Sequence, residues 1–258
     1  MNTRSSEGRH PESQNLVRSS EQKKSALNGH AQKKWQPKRR LTQAFVSPER
    51  ELLGLDPEAN ANVVRQRALS EARCGNFQAA IALFNELLTA NPYSARDYNN
   101  RGLVYFQSGH LEAALADYNQ ALLLNPYLDG AYNNRANYYA ALGLYLEAIL
   151  DYDAALDLNP DNTRAWINQG ITFRDLQMFD RAIESLDTAL TLGYLESHIY
   201  AERGRTYHLR GDWNCAIADY QRALGCIDDP CATALGNDTR LRHQIHTWMN
   251  ELLAPLQD

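Results

Sequence analysis

The sequence predicts an all-α protein, a solenoid of stacked helical hairpins, and three observations carry that prediction. Residues 95–128 and 129–162 are near copies at an offset of 34, a period at which repeat units bury their apolar faces only against one another. Laid over one another at this period, five units place alanine at the twentieth position (Ala80, Ala114, Ala148, Ala182, Ala216) and a small residue at the eighth (Ala68, Gly102, Ala136, Gly170, Gly204). Helices approach closely only where side chains are minimal, so each unit reads as two antiparallel helices touching at these positions. Asn-Pro at 125–126 and 159–160 then stops the second helix of its unit.

Taken in order, residues 1–46 are rich in Ser, Gln, Lys and Arg and poor in aliphatics. Such a stretch cannot bury enough apolar surface to offset the entropy of ordering, so it is expected to be a disordered arm. Residues 1–48 hold ten Lys or Arg against three Glu, every lysine of the chain among them, whereas residues 49–258 hold sixteen basic against twenty-eight acidic residues. A basic arm is joined to an acidic body. Its densest stretch (Lys33, Lys34, Trp35, Lys38, Arg39, Arg40) is the candidate arm contact, with a nucleic-acid phosphate backbone, an anionic membrane or a targeting receptor as the alternatives. The plainer reading is a solvated tail.

Residues 47–60 read as a short leading helix and linker, with Ser47 as N-cap and Pro48 at the first helical position. The five units follow as 61–94, 95–128, 129–162, 163–196 and 197–230. Large rings fill the fourth position (Tyr98, Tyr132, Trp166, Tyr200) and the eleventh (Tyr105, Tyr139, Phe173, Tyr207). The turn inside a unit carries Gly75, Gly109, Gly143 and Gly211, where a positive φ is easiest for glycine. Unit four departs, with Gln177 at the turn and Gly193-Tyr194 in place of Asn-Pro. Residues 231–258 read as a loop and a last amphipathic helix over 239–253, whose apolar stripe is Leu241, Ile245, Met249 and Leu252. Arg101, Arg135 and Arg203 at the seventh position recur with Asp117, Asp151 and Asp219 at the twenty-third, and unit four loses both together as Gln169 and Ser185. That correlation predicts an ion pair joining the two helices of a unit.

In these aromatic, glycine, alanine and proline positions the chain resembles the tetratricopeptide repeat (TPR) family, over roughly 61–226. The resemblance implies a right-handed α–α superhelix, a C-terminal capping helix, and a concave groove lined by positions 2, 5, 6, 9, 12 and 13 of each first helix. Here those positions hold Asn99, Asn100, Asn133, Asn134, Asn137 and Asn168, with Arg65, Arg73, Arg96, Arg164, Arg174 and Arg205 against Asp175 and Glu202. Asn100, Asn134 and Asn168 recur at the sixth position as a ladder. An amide both donates and accepts, so it can pair with the backbone of a peptide of any sequence. Asparagine costs up to ~0.7 kcal/mol in a helix relative to alanine, so its repetition wants a reason beyond keeping a face wet. With the arginines, the expected guest is an extended acidic or phosphorylated segment of a partner protein. The carboxylate grip of TPR co-chaperones is incomplete, because both candidate registers lack its first lysine and the second ends in Glu202.

No Gly-rich phosphate loop, nucleophile elbow or metal-ligand spacing is present in the sequence, so neither catalysis nor a metal or other cofactor is expected. Cys74, Cys215, Cys226 and Cys231 read as reduced thiols. Without an apolar run of membrane length or a signal core, the expected location is cytoplasmic, with organellar import through the arm as the alternative. The sequence therefore reads as a non-catalytic protein–protein adaptor or assembly factor. Members of the family often assist assembly of multi-subunit complexes, photosynthetic ones included. The alternative is a scaffold tethered to nucleic acid or an anionic membrane by the arm.

Overall fold

In a computed structural model of the chain, residues 57–228 and 239–254 are described, and every regular element among them is a helix. Hairpin 1 is α1 (Pro57–Arg73) and α2 (Phe77–Ala90), and hairpin 2 is α3 (Ala95–Gln107) and α4 (Leu111–Leu124). Hairpin 3 is α5 (Asp129–Ala141) and α6 (Tyr145–Leu158), hairpin 4 is α7 (Thr163–Asp175) and α8 (Phe179–Thr191), and hairpin 5 is α9 (Glu196–Arg210) and α10 (Trp213–Asp228). A last helix, α11 (Thr239–Leu253), follows. Residues 57–60, expected as linker, are the first turn of α1: proline is well placed at a helix start, and Glu58 complements the positive helix end. The expected leading helix over 47–54, the arm and residues 231–238 lie outside the described residues.

Each helix packs against the next, and each first helix also touches the first helix of the following hairpin, whereas no two second helices touch among the described residues. The first helices therefore line the inner side. All five alanines at the twentieth position are fully buried. The small eighth position meets a large residue of the second helix: a Cβ on Gly102 would lie 2.9 Å from the Tyr118 ring, and one on Gly204 2.8 Å from that of Tyr220. A methyl group there would force the ring to shift, as it has room to do in hairpin 3, where Ala136 packs against Tyr152. Second helices end at Asn91, Asn125 and Asn159, each extended (φ −136°, −140° and −143°) because the proline that follows excludes helical backbone. The turns at Gly75, Gly109, Gly143 and Gly211 all have positive φ, and Gln177 adopts the same conformation in hairpin 4 at φ 60°.

The predicted ion pair is present and reaches further than its own hairpin. Arg101 Nε and Nη2 donate to Asp117 Oδ2 and Oδ1 at 2.7 and 2.8 Å, and its Nη1 donates to Asn85 Oδ1 of hairpin 1 at 2.7 Å. Arg135 repeats this with Asp151 and with Asn119 of hairpin 2, and Arg203 with Asp219 and with Asp187 of hairpin 4. The Arg101 guanidinium also lies 5.4 and 5.6 Å from the ring centres of Tyr98 and Tyr105, three residues before it and four after, on one helix face. Hairpin 4 keeps the same contacts without the charge. Gln169 Nε2 donates to Asp153 Oδ1 of hairpin 3 at 2.7 Å, and Ser185 Oγ donates to Gln169 Oε1 at 3.0 Å. A cation is still supplied over Phe173, now by Arg181 of α8 at 4.2 Å.

At the far end, Leu241, Ile245 and Leu252 of α11 are buried against Ala201, Tyr220, Ala223 and Ile227 of hairpin 5. The Trp248 ring stacks on that of Tyr220, with centres 6.1 Å apart. Here α11 covers apolar surface that a further hairpin would otherwise bury.

Candidate functional site

The inner side carries the asparagines and arginines of α1, α3, α5, α7 and α9, and their fates differ. Asn99 and Asn133 are buried at 9 % exposure, while Asn100, Asn134, Asn137 and Asn168 are half-buried. Asn134 Nδ2 donates to Asn99 Oδ1 across the joint between hairpins 2 and 3 at 3.0 Å, and Asn133 Nδ2 donates to Asn134 Oδ1 at 3.4 Å. Asn137 Oδ1 accepts from the Tyr152 hydroxyl at 2.6 Å, inside hairpin 3. The side-chain amides of Asn100 and Asn168 make no hydrogen bond to the described residues. The three amides of the ladder thus differ: Asn134 is partly spent on its neighbour, and those of Asn100 and Asn168 are free of the described residues.

The arginines divide in the same way. Arg65 is 4 % exposed and fully engaged by Asp97, with its Nη2 3.0 Å from Oδ2. Burial alone would raise the Asp97 carboxyl, but hydrogen bonds from Arg65 and Ser94 and the charges of Arg65 and Arg96 outweigh it and hold the pKa below the ordinary value. Arg174 is paired with Glu202 of hairpin 5. Arg205 reaches Glu251 of α11 at 2.7 Å and lies 5.4 Å from the Trp248 ring centre, so it fastens the cap. Arg65, Arg174 and Arg205 therefore leave the set of cations open to a guest, because each is already neutralised. Arg73, Arg96 and Arg164 are exposed and form no ion pair with the described residues. The arm residues Lys33, Lys34, Trp35, Lys38, Arg39 and Arg40 lie outside the described residues.

Two buried polar side-chain atoms have no partner among the described residues, Tyr118 Oη and Asn133 Oδ1. The first has a cause legible by comparing hairpins. Tyr152, its counterpart in hairpin 3, is met by Asn137, whereas hairpin 2 has Leu103 at that position, which offers no acceptor. Near the cap, His208 Nδ1 faces Arg205 Nη1 at 3.2 Å and the Tyr220 hydroxyl at 3.4 Å. Burial and the Arg205 charge push the His208 pKa down, with Glu251 opposing them. No group of three or more His, Cys, Asp or Glu side chains among the described residues could hold a metal ion. No described helix is long and apolar enough to cross a membrane. Cys74, Cys215 and Cys226 form no disulfide among the described residues.

Sequence reasoning missed Asp97 and Glu251 as partners of groove arginines. Asp97 lies 32 residues from Arg65 and Glu251 46 residues from Arg205, outside any local pattern. It also passed over Gly130, which setting the second positions of the five units side by side would have shown.

Family models of the tetratricopeptide repeat match residues 95–128, 130–162 and 167–230, together just over half of the chain. No curated protein matches the chain in sequence. Among solved structures, a thermophilic TPR protein of Thermus thermophilus matches with a TM-score of 0.62 at 20 % identity, over 73 % of this chain and 98 % of that one. PilW, described as a widely conserved type IV pilus biogenesis factor, matches at 0.61 and 20 %, over 77 % and 98 %. MamA matches at 0.53 and 19 %, over 64 % and 90 %. At these identities the likeness is one of fold.

Proposed function

This chain belongs to the tetratricopeptide repeat family, and from that membership we propose that it works by binding rather than by catalysis, as an adaptor or assembly factor that holds an extended acidic segment of a partner protein in its groove. The observation that carries the reading is the set of exposed, unpaired guanidiniums of Arg73, Arg96 and Arg164 on the inner first helices of a body with sixteen basic and twenty-eight acidic residues. Most of the body repels an acidic chain, so an acidic guest is steered to the few places where cations stand free. The free amides of Asn100 and Asn168 then offer backbone contacts indifferent to its side chains.

Two fluorescein-labelled dodecapeptides, one alternating Ala and Glu and one alternating Ala and Lys, test this by anisotropy with the full chain. The acidic peptide is expected to bind the tighter, to weaken as salt is raised, and to weaken further in Arg96→Ala/Arg164→Ala. Tighter binding of the basic peptide overturns the reading.

A further inference from the structure

The groove is not uniform along its length, and one joint stands apart. At the second position of the first helix, four hairpins carry a polar side chain (Asn62, Arg96, Arg164, His198), and hairpin 3 carries Gly130. Gly130 is the second residue of α5 and does not have the positive φ that would require glycine. In a helix, glycine only costs stability relative to alanine, so backbone geometry does not account for it. Space does. A Cβ at this position would meet a single atom within 4 Å, Asn99 Nδ2 at 4.0 Å. The missing side chain leaves an open notch against the amide of Asn99.

Into that notch runs the end of a chain of three amides. Asn133 donates to Asn134 and Asn134 donates to Asn99, so each amide is polarised by the one before it. The chain is incomplete at both ends. Asn99 Nδ2 donates to no described residue, although the side chain is nine-tenths buried, and Asn133 Oδ1 is sealed in without a donor. Arg96 stands one helical turn before Asn99 and Asn100 on α3, exposed and unpaired. Other groove side chains are satisfied internally, as Asn137 is by Tyr152 and Arg205 by Glu251, and Arg164, which shares the second position with Arg96, has no unpartnered buried amide beside it at the fifth position, where Ile167 stands.

We infer that the notch bounded by Gly130, Asn99, Asn134 and Arg96 is the subsite that fixes the register of the guest. It takes one peptide carbonyl, whose oxygen accepts from Asn99 Nδ2 in the space left by Gly130, while a guest carboxylate nearby meets Arg96. This rests on the groove-binding reading and narrows it to one joint. A guest with a bulky residue or proline where its backbone must enter the notch is excluded, whereas the free amides of Asn100 and Asn168 tolerate any sequence.

The test uses the full chain and the labelled Ala–Glu dodecapeptide. Gly130→Leu fills the notch with a neutral helix-favouring side chain and is expected to weaken binding roughly tenfold, because the Asn99 donor is then cut off from its acceptor. Gly130→Ala should give a smaller loss at equal or higher thermal stability. A second readout needs no substitution: the side-chain NH2 resonances of Asn99 should shift on peptide addition. Wild-type binding that survives Gly130→Leu in a folded protein, or leaves the Asn99 amide unmoved, overturns the notch while the groove reading stands. Absence of any binding by the wild type overturns both.

Discussion

Hairpins 3 and 4 are clasped to their neighbours through the same positions by different chemistry. In hairpin 3, Arg135 grips Asp151 within the hairpin and Asn119 behind it; in hairpin 4, Gln169 accepts from Ser185 and donates to Asp153. Donor and acceptor roles are redistributed, yet the bridge from one helix to its partner and back to the preceding hairpin survives. What repeats along this array is the location of a polar link, and charge is one of two ways to build it. The two ways should not be equally robust. A half-buried guanidinium depends on its carboxylate to offset desolvation, whereas a neutral amide has little to lose.

The largest expected effect follows from that asymmetry. Asp151→Ala strands the Arg135 cation, whose side chain is 20 % exposed, and should lower unfolding free energy by about 3–5 kcal/mol in urea titrations. Ser185→Ala, at the matching site, should cost about 1 kcal/mol. Equal losses would mean that the charge adds nothing to the link. Ser185→Asp alone should destabilise, and adding Gln169→Arg should recover much of that loss, which a double-mutant cycle measures directly.

An intermediate effect is expected at the turns. Gln177 holds a left-handed conformation that costs a side-chain-bearing residue about 1–2 kcal/mol, so Gln177→Gly should stabilise hairpin 4 and Gly143→Gln should destabilise hairpin 3 by comparable amounts. The smallest effect is a pH dependence at the joint between the two. Burial raises the Asp153 carboxyl above its ordinary value, only partly opposed by Arg181 and the hydrogen bond from Gln169. The folded state then holds that proton more tightly than the unfolded chain. The Asp153 contribution to stability therefore grows as pH falls through the raised pKa and is unfavourable above it. Asp153→Asn keeps the acceptor for Gln169 and should be slightly more stable at neutral pH, with the acid-side difference from wild type vanishing. A greater stability of wild type at neutral pH would reverse the sign and refute the account.

The fold was legible because sterics restrict it at recurring positions. Ala80 and its four equivalents, Gly102 against Tyr118, and the proline after Asn125 each admit few alternatives, and a 34-residue offset multiplies the signal. The cap was legible from the spacing of Leu241, Ile245 and Leu252. The start of α1 at Pro57 was less so, since hairpin 1 has Val64 and Glu71 where the others have rings. In the groove, position along the helix told which residues share one helix face and nothing about what they meet there. Arg65 and Arg96 look alike in sequence, but Asp97 of the next hairpin has taken the first. Gln169 with Ser185 read as a lost pair because identity, not geometry, was being compared.

Each clasp joins the hairpin behind it as well as its own second helix, so a pull applied at the two ends of the array is carried from link to link in series. Three of those links are backed by a guanidinium, and the one at Gln169 is not. Under tension the array would part there first, releasing hairpins 1 to 3 from hairpins 4 and 5 as two intact pieces before any single hairpin unravels.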